Sequence, residues 1–537
     1  MSDTMHWARW GDPAREMQLA GPTRALIDAA FGARSATPPV QESQIPIAAC
    51  GLMPDALSAL TEVVGQAYVD ISAATRLRHT GGKSTSDLLR RRRGDAANAP
   101  DAVVRPATHE QVQTLLAICA AHHLVVVPFG GGTSVVGGLD GSAGGERGWV
   151  ALDLGRLDRL LDIDLISMTA TLQAGVTGPD AERLLGEQGL TLGHFPQSFE
   201  YASIGGFAAT RSSGQASSGY GRFDEMVVGM TVATPRGTWR LGSAPMTAAG
   251  PDLRQMVLGS EGAFGVITSV RLAVHLAPQV QEYQTWRLAS FQDGANALRA
   301  LVQEGLNPTV LRLSDEMETA VNLASPVDIG TEQGGISGGV SMVCGYEGTR
   351  VRVDRMRQEV EDRLRELGAV PQDNQSNESS KDGASWAAGR FDGPYLRDAL
   401  LDEGLLVETL ETAGFWSDLP AVYSAVSGAV VQALSAGTTS PIVMCHISHL
   451  YRTGASLYFT VVCPQDADPV AQWARAKVAA NDAIRGCGAT ITHHHGVGVD
   501  HRPWLATEIG ELGVDVLRAV KECLDPQGVL NPGVLIP

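Results

Sequence analysis

Residues 128–135 read Pro128-Phe-Gly-Gly-Gly-Thr-Ser-Val135 and follow the apolar run Leu124-Val-Val-Val127. The apolar run predicts a buried strand, and Pro128 is expected to close it. Three glycines without a Cβ let successive backbone N–H groups turn toward one anion, and Thr133 and Ser134 add hydroxyl donors. The segment therefore predicts either a nest that binds a dinucleotide diphosphate or a surface turn between two strands.

The residues after this loop argue against a nicotinamide site of the Rossmann type. Such a site needs a helix that begins directly after the glycines, with its N-terminus at the diphosphate. Val135-Val-Gly-Gly-Leu139 has no helical character. The Rossmann type is therefore disfavoured.

Three further segments in the same part of the chain are rich in glycine and small polar residues. They are Gly193-His-Phe-Pro-Gln-Ser-Phe-Glu-Tyr-Ala-Ser-Ile-Gly-Gly206, Thr210-Arg-Ser-Ser-Gly214 and Gly259-Ser-Glu-Gly-Ala-Phe-Gly265. Residues of these types bring bare backbone against a ligand. Three such loops in one domain indicate a large cofactor.

Near the other end of the chain, Thr492-His-His-His-Gly-Val-Gly498 places three imidazoles beside a flexible glycine turn. An extended segment would direct His493 and His495 to one face and His494 to the other, which makes a three-histidine metal site awkward. Imidazole titrates near neutrality and donates hydrogen bonds to oxyanions, so acid–base chemistry and phosphate binding suit the segment better. A structural role is expected for at least one of the three.

Composition narrows the classes of function. The formal charge of −18, from 41 basic and 59 acidic residues, makes nucleic acid an unexpected partner. The basic run Arg90-Arg-Arg-Arg93 is interpreted as a solvated helix end. Seven scattered cysteines without a C-x-x-C pair argue against a disulfide framework or a zinc ribbon. The chain shows no signal peptide, no apolar run of about 18 residues and no peroxisomal address at Leu535-Ile-Pro537, so we expect a cytoplasmic protein.

The order of these segments resembles that of the vanillyl-alcohol-oxidase family of FAD proteins. Arg105-Pro106 stands ahead of the glycine loop, and Asp525-Pro-Gln-Gly-Val-Leu-Asn-Pro-Gly533 closes the chain. Within that family the chain is most similar to the alkyldihydroxyacetonephosphate synthases, which make the ether bond of ether lipids. The similarity runs from about residue 70 to the C-terminus, with residues 7–11 as a remnant of a Trp-Gly-rich opening. Its sharper signals are His493-His-His495, Pro-Tyr-Leu-Arg397-Asp, Gly-Ala-Ser-Leu-Tyr458-Phe and Val-Leu-Arg312-Leu.

The resemblance implies one FAD, bound non-covalently because the loop at 130–134 holds neither a histidine nor a cysteine that could bond to the ring. The residues that it assigns to the cofactor are Pro128, Phe129, Gly130, Gly131, Gly132, Thr133, Ser134, Val135, Pro196, Gln197, Ser198, Tyr201, Ala202, Ser203, Gly205, Gly206, Thr210, Arg211, Ser212, Ser213, Glu261, Gly262, Gly265, Val266 and Ile267.

The resemblance also implies catalytic roles. Tyr458 would act as an acid–base group whose phenol pKa neighbouring cations lower from about 10, and the alternative is a core tyrosine. Arg397 would face a substrate phosphate through its planar guanidinium, and the alternative is a surface arginine. The expected catalytic set is completed by Arg312, for which a structural role stays open, and by His493, His494 and His495.

The implied reaction exchanges the acyl chain of acyl-dihydroxyacetone phosphate for a long-chain alcohol, with no net redox change. A homodimer and peripheral membrane contact are further expectations. Val499-Asp-His-Arg502 holds fewer basic residues than a phosphate site of this kind should have. The competing hypotheses are an FAD-dependent 2-hydroxyacid dehydrogenase of the lactate or glycolate type, a flavin-binding protein without catalysis, and a histidine-metal protein.

The mixture of short strand-like segments and helical segments along the chain predicts an α+β protein. The resemblance implies that a two-subdomain FAD-binding domain is joined to an α+β cap domain. A polar stretch at residues 372–381 predicts a mobile loop. Helices are expected over residues 54–66, 82–93, 108–122, 178–188, 293–304, 350–367 and 468–486, and a strand over 457–463. The predicted parts are a helical N-terminal region (1–98), the FAD-binding domain (99–278), the cap or substrate domain (279–490) and a C-terminal segment that completes the site (491–537).

Overall fold

The computed structural model describes residues 5–321, 329, 338–372, 387, 389–435 and 439–537. Its helices are α1 Gly21–Phe31, α2 Pro54–Val64, α3 Ala73–Arg78, α4 Thr85–Arg92, α5 His109–Ala121, α6 Gly178–Gly186, α7 Ile204–Thr210, α8 Ser217–Tyr220, α9 Phe223–Met226, α10 Arg254–Val257, α11 Phe291–Glu304, α12 Glu316–Val321, α13 Arg350–Glu366, α14 Gly393–Asp402, α15 Leu419–Leu434, α16 Pro469–Gly486 and α17 Arg502–Leu524. Its strands are β1 Val69–Asp70, β2 Ala102–Val104, β3 Val125–Phe129, β4 Trp149–Asp153, β5 Leu160–Asp164, β6 Thr169–Gln173, β7 Leu190–Thr191, β8 Val227–Thr234, β9 Gly237–Leu241, β10 Val266–Ala273, β11 His275–Leu276, β12 Val280–Leu288, β13 Val310–Ser314, β14 Val340–Gly348, β15 Val370–Pro371, β16 Leu405–Phe415, β17 Ile442–Ile447 and β18 Gly454–Pro464.

The first sheet positions the glycine loop. In the described chain it has the order β1-β2-β4-β3, with β2, β4 and β3 parallel and β1 antiparallel to β2. Strand β3 is an almost uninterrupted apolar run because both of its faces are buried. Val126 also pairs with Leu530, which fastens the C-terminal segment to this sheet. The loop begins where β3 ends, at Phe129.

The second sheet carries the other glycine-rich segments. It is antiparallel, with the order β5-β6-β10-β8-β9, and it shares a core with α6 and α7. Helix α7 begins at Ile204, directly after the segment that reads Pro196–Ser203, and its N-cap Ser203 accepts a hydrogen bond from the N–H of Gly206. The residues from 259 to 265 lead into β10. Both segments therefore end on elements packed in one core.

The third and largest sheet is antiparallel and has the order β15-β12-β14-β13-β17-β18-β16. One face packs against α11, α13, α15 and α16 and forms the main apolar core. Because side chains alternate along a strand, Leu457, Phe459 and Val461 enter that core and Tyr458 faces the opposite way. The opposite face of β13, β17, β18 and β16 forms a wall of the cavity described below.

The helical periodicity in the sequence is largely confirmed. Helices α2, α4, α5, α6, α11, α13 and α16 coincide with predicted helices within a few residues at each end, and β18 covers the predicted strand. Several N-termini have the expected capping chemistry: the hydroxyls of Thr108, Thr177 and Ser290 each accept a hydrogen bond from the third helical N–H. The predicted mobile loop lies outside the described residues from position 373 onward.

The prediction of a solvated basic helix end is wrong for two of the four arginines. Arg91 is 2% exposed and Arg92 is 3% exposed, whereas Arg90 and Arg93 face solvent. The guanidinium of Arg91 donates to the carbonyl oxygens of Thr80 and Gly82, and that of Arg92 donates to Asp402. The tertiary fold encloses this end of α4, and the buried guanidinium groups satisfy carbonyl and carboxylate acceptors.

All seven cysteines are free thiols, in line with the absence of a predicted disulfide framework. Within the described ranges, none of the helices combines the length and the apolar character that a membrane span requires.

Candidate active site

A cavity of about 370 Å³ lies between the glycine-rich segments and the open face of the large sheet. Most of its wall comes from the loops of the first and second sheets, from strands β13, β16, β17 and β18, and from helix α14. The N-terminal segment adds Trp10, and the segment at 492–498, here called the His turn, adds His494 and His495.

The glycine loop, residues 130–135, presents backbone to the cavity. Its N–H groups have no hydrogen-bond partner in the part of the chain that the structure describes. A Cβ on Gly131 would overlap the carbonyl oxygen of Tyr201, and a Cβ on Gly130 would overlap the hydroxyl of Ser203. Free N–H groups on a loop whose glycines leave no room for a Cβ form a cradle for a diphosphate, so these residues fit the FAD that the sequence predicts.

Most residues assigned to the cofactor line this cavity. Phe129 instead lies behind the loop, with its ring 4.4 Å from that of His79. Tyr201 contacts the loop through its carbonyl oxygen, which faces Gly131. Arg211 turns its guanidinium toward Asp224, 2.9 Å away. The predicted residues in the wall are Pro128, Gly130, Gly131, Gly132, Thr133, Ser134, Val135, Pro196, Gln197, Ser198, Ala202, Ser203, Gly205, Gly206, Thr210, Ser212, Ser213, Glu261, Gly262, Gly265 and Ile267; those outside it are Phe129, Tyr201, Arg211 and Val266.

On the side that faces the glycine loop, polar side chains lie in register across four strands and are here called the polar row; of these, His446 and Tyr458 line the cavity. Ser314 on β13 pairs with His446 on β17, His446 pairs with Tyr458 on β18, and Tyr458 pairs with Glu411 on β16. Directly paired residues of antiparallel strands share one face of the sheet. The row therefore brings together groups that are far apart in the sequence.

Arg312 lies on the same face of β13 as Ser314. Its guanidinium donates to the carboxylate of Glu318 at 2.6 Å and lies 2.9 Å from Nδ1 of His446. Its Nε is buried with no partner among the described residues, and the side chain lines the cavity. Arg312 thus has both a structural ion pair and an unused donor.

Tyr458 lines the cavity with its ring stacked on His446 at 4.8 Å, so the alternative of a core tyrosine is wrong. Burial raises the pKa of Tyr458 to about 12, with the carboxylates of Glu408 and Glu411 acting in the same direction. The predicted lowering of this phenol pKa is therefore wrong. The phenol is protonated at neutral pH.

The His turn is bent, so the predicted alternation of its side chains is wrong. The backbone N–H groups of His493, His494 and His495 all donate to the carboxylate of Glu411, over 2.6, 3.2 and 3.0 Å. The hydroxyl of Thr492 donates to the same carboxylate over 2.6 Å. One side chain therefore gathers four consecutive donors, which an extended segment could not direct to a single point.

Burial also decides the protonation of the histidines. It lowers the pKa of His493, His494 and His495, that of His495 to about 3. The imidazoles are therefore neutral near pH 7, and they do not supply the cations that would lower the Tyr458 pKa. The expectation that they titrate near neutrality is wrong for this environment because the charged form is desolvated.

The bend also removes the geometric argument against a metal. Ligand nitrogens of His449, His493 and His494 all lie within 4.8 Å of one another. These rings already have other partners: His449 Nδ1 lies 3.0 and 2.8 Å from the hydroxyls of Ser213 and Ser217. Nδ1 of His493 lies 3.0 Å from Nδ1 of His494. We interpret the cluster as a hydrogen-bonded network.

Arg397 lies on α14 and lines the cavity with a side chain that is 11% exposed, so the alternative of a surface arginine is wrong. Its guanidinium donates to the carbonyl oxygen of Lys83 at 2.7 Å and contacts the carboxylate of Asp398. These contacts hold the guanidinium in the cavity wall. His493, by contrast, lies behind the wall, with Nε2 2.6 Å from the hydroxyl of Tyr451.

Sequence reasoning did not assign Trp10, His446, His449, Arg390 or Glu411 to the site. Trp10 had a signal, because it falls in the Trp-Gly remnant at residues 7–11. The other residues join the site through strand pairing or loop packing across long stretches of sequence, and no local pattern marks them.

Comparisons with known proteins agree with this architecture. Residues 100–242 match the FAD binding domain family, and residues 277–535 match the family of FAD linked oxidases, C-terminal domain. The alkyldihydroxyacetonephosphate synthase of Dictyostelium discoideum is 34% identical over 484 residues, which cover 86% of this chain and 77% of the relative. That of Trypanosoma brucei brucei is 33% identical over 498 residues, covering 89% of this chain and 80% of the relative. A solved alkyldihydroxyacetonephosphate synthase superposes with a TM-score of 0.84 at 29% identity, over 99% of both chains.

The backbone cradle, the two smaller sheets and the capping large sheet define a flavoprotein of the FAD-linked oxidase class. Its cofactor is FAD. Within that class, the chain belongs to the alkyldihydroxyacetonephosphate synthase family.

Proposed function

We propose that this chain exchanges the acyl chain of acyl-dihydroxyacetone phosphate for a long-chain alcohol and so forms the precursor of an ether lipid. The observation that carries the proposal is the composition of the cavity. Its walls combine a backbone cradle, the polar side chains of His446 and Tyr458, three arginines and an apolar patch. A substrate with a phosphate at one end and a hydrocarbon chain at the other needs all of these.

An apolar patch of the cavity wall distinguishes this substrate from a small acid. Aliphatic side chains from α14 and from strands β16, β17 and β18 form the patch and belong to one apolar cluster. Burying a hydrocarbon chain against such a surface is favourable by roughly 0.8 kcal/mol per CH₂ group. A lactate- or glycolate-like acid would leave this surface unfilled. The aliphatic residues are Leu396, Leu400, Val407, Met444 and Val462.

The residues that would hold FAD are those of the glycine loop and of the segments from 196 to 213 and from 261 to 267. FAD bound there would supply the electron-accepting isoalloxazine ring for the exchange. The loop contains no histidine or cysteine. We therefore propose that FAD is bound non-covalently and that denaturation releases it.

The proton transfer of the reaction is assigned to Tyr458, the titratable group at the centre of the polar row. In the free protein this phenol carries its proton. Arg312 is the nearby cation that favours its ionised form. Arg397 and the unused donor of Arg312 are assigned to the substrate's charged end, because neutral imidazoles provide hydrogen bonds but no positive charge.

We also propose that the protein is a homodimer, that it is cytoplasmic, and that it contacts membranes peripherally to obtain its lipid substrates. Size-exclusion chromatography with light scattering, and flotation with phospholipid vesicles, would test the oligomeric state and the membrane contact.

Anaerobic titration of the yellow protein distinguishes the proposal from a 2-hydroxyacid dehydrogenase. Acyl-dihydroxyacetone phosphate with a long-chain alcohol should give ether product and leave the flavin oxidised at the end of turnover. Lactate and glycolate should leave the visible flavin spectrum unchanged. Loss of the oxidised flavin bands on addition of a 2-hydroxyacid, without ether product from the lipid, would move the function to the dehydrogenase.

A further inference from the structure

Two buried carboxylates hold the His turn at its opposite ends. Glu411, on β16 of the large sheet, accepts hydrogen bonds from residues 492–495, as described above. Glu261, from the loop before β10, accepts hydrogen bonds from the N–H groups of Val497 and Gly498. Glu411 belongs to the large sheet, whereas Glu261 lies in the loop that leads into the second sheet. The turn is therefore fastened to both halves of the cavity.

All the hydrogen bonds that Glu411 accepts from the turn converge on one carboxylate. Oε1 accepts from the Thr492 hydroxyl and from the N–H groups of His494 and His495, and Oε2 accepts from the N–H group of His493. The side chain is 1% exposed and is not part of the cavity wall. Glu411 is thus placed to act on the reaction through other residues, without touching substrate itself.

Glu411 is also the partner of Tyr458 in the polar row. The two residues pair directly across β16 and β18, so their side chains leave the sheet on one face. The ring of Tyr458 lies 6.0 Å from that of His494 and 5.6 Å from that of His495. A single side chain thereby sets the spacing between the phenol and the two imidazoles that line the cavity.

We propose that Glu411 is a positioning residue of the reaction: by collecting the N–H groups of His493, His494 and His495, it fixes the imidazoles relative to Tyr458. The turn needs such a clamp because it ends in glycines, with Gly496 at φ +94° and Gly498 at φ +54°. Without an internal acceptor, its buried N–H groups would be left unsatisfied or would move to other partners. The activity readout of this inference rests on the proposed function, whereas the hydrogen-exchange readout does not.

The test is Glu411→Gln, which keeps the shape of the side chain but replaces one acceptor oxygen by an NH₂ donor facing the turn. FAD occupancy should remain at the parent level. We expect kcat to fall about tenfold to hundredfold, with a smaller change in KM, because a displacement of catalytic groups on the order of 1 Å has effects of this size. Amide hydrogen exchange of residues 492–495 should become faster.

Asp525→Asn is the matched control. Asp525 is 2% exposed, and its carboxylate accepts hydrogen bonds from the N–H groups of Val529 and Leu530, so it also clamps a turn. It does not line the cavity. This variant should lose stability on a similar scale while keeping kcat and the exchange of residues 492–495 at parent values.

Thr492→Val provides the test if Glu411→Gln does not fold. It removes one donor to Glu411 and leaves the three N–H groups in place, so we expect faster exchange in the turn and a fall in kcat of about threefold to tenfold. Parent kcat and parent exchange in either variant would overturn the proposal. So would a loss of kcat in Asp525→Asn equal to that in Glu411→Gln. A parent protein that forms no ether, but whose turn still loosens in Glu411→Gln, would reject the proposed function and retain the clamp.

Discussion

At the scale of single residues, burial decides the protonation of the groups around Tyr458. The phenol keeps its proton, and the imidazoles of the His turn stay neutral because their charged forms would be desolvated. Glu411 is the exception. Burial would raise the pKa of Glu411, but this pKa lies well below its ordinary value, and the ionised carboxylate accepts hydrogen bonds from the Thr492 hydroxyl and from three backbone N–H groups. The free site thus combines neutral acid–base groups with an ionised clamp.

The role of Tyr458 is tested by Tyr458→Phe. This variant should fold and keep its FAD, since the ring still stacks on His446. Turnover should fall by a factor of about 100 or more, as expected for a missing acid–base group. Tyr423→Phe is the control, because the Tyr423 hydroxyl donates to Asp315 on the core side of the sheet. Ether formation by Tyr458→Phe at the parent rate would remove the assignment.

Arg397→Ala should act mainly through substrate binding, because the guanidinium offers a charge-assisted contact before and during the reaction. We expect a KM for acyl-dihydroxyacetone phosphate at least about tenfold higher and a smaller change in kcat. Arg485→Ala is the control, since Arg485 donates to the carbonyl oxygens of Ala489 and Thr507 away from the cavity. An unchanged KM in steady-state kinetics would contradict the role of Arg397.

The stability of the FAD-free protein should depend on pH through Glu261. Burial raises the pKa of Glu261 from 4.5 to about 7, so the folded state favours the protonated carboxyl. Its contribution to stability should be complete below about pH 4.5 and should be lost as the pH rises through 7, a change of about 3 kcal/mol. Glu261→Gln should remove this part of the fall in Tm between pH 5 and 8. Parallel Tm curves for the parent and the variant would contradict the assignment.

At the scale of elements, the sequence predicts segments whose signal is local. The apolar run before Pro128 and the capped helices are of this kind, because their period and end residues lie within one stretch. The conformation of the His turn, by contrast, is not determined by its own stretch of sequence. It depends on Glu411, 81 residues away from Thr492, whose place opposite Tyr458 is set by strand register. The alternation expected for an isolated extended segment fails for that reason.

The glycine loop is tested by Gly131→Val. The new side chain would meet the carbonyl of Tyr201, so the loop must move and its N–H groups lose their convergence. Most of the FAD occupancy should be lost, measured as the ratio of visible flavin absorbance to protein absorbance. Gly428→Ala on α15 is the control, since a Cβ there meets no atom within 4 Å. A Gly131→Val protein as yellow as the parent would show that FAD binds elsewhere.

At the scale of the whole molecule, the site is an assembly of parts from both ends of the chain. Trp10 and Lys83 show the contribution of the N-terminal region: Trp10 lines the cavity, and Lys83 donates from its ammonium group to the carbonyl oxygen of Arg9 at 2.9 Å. Leu530 pairs with Val126 in the sheet that carries the glycine loop. Family motifs in the sequence indicated the fold and most of the cavity wall. The motifs did not predict the burial of Arg91 and Arg92 or the apolar patch of the wall, because both depend on packing between distant segments.

The most direct test of the account is the stoichiometry of the lipid reaction. Purified yellow protein is incubated with acyl-dihydroxyacetone phosphate and an isotope-labelled long-chain alcohol, without an added oxidant or reductant. We expect many turnovers, with one labelled ether and one fatty acid formed per substrate consumed. No labelled ether, or ether formation that stops unless an electron acceptor is supplied, would contradict it.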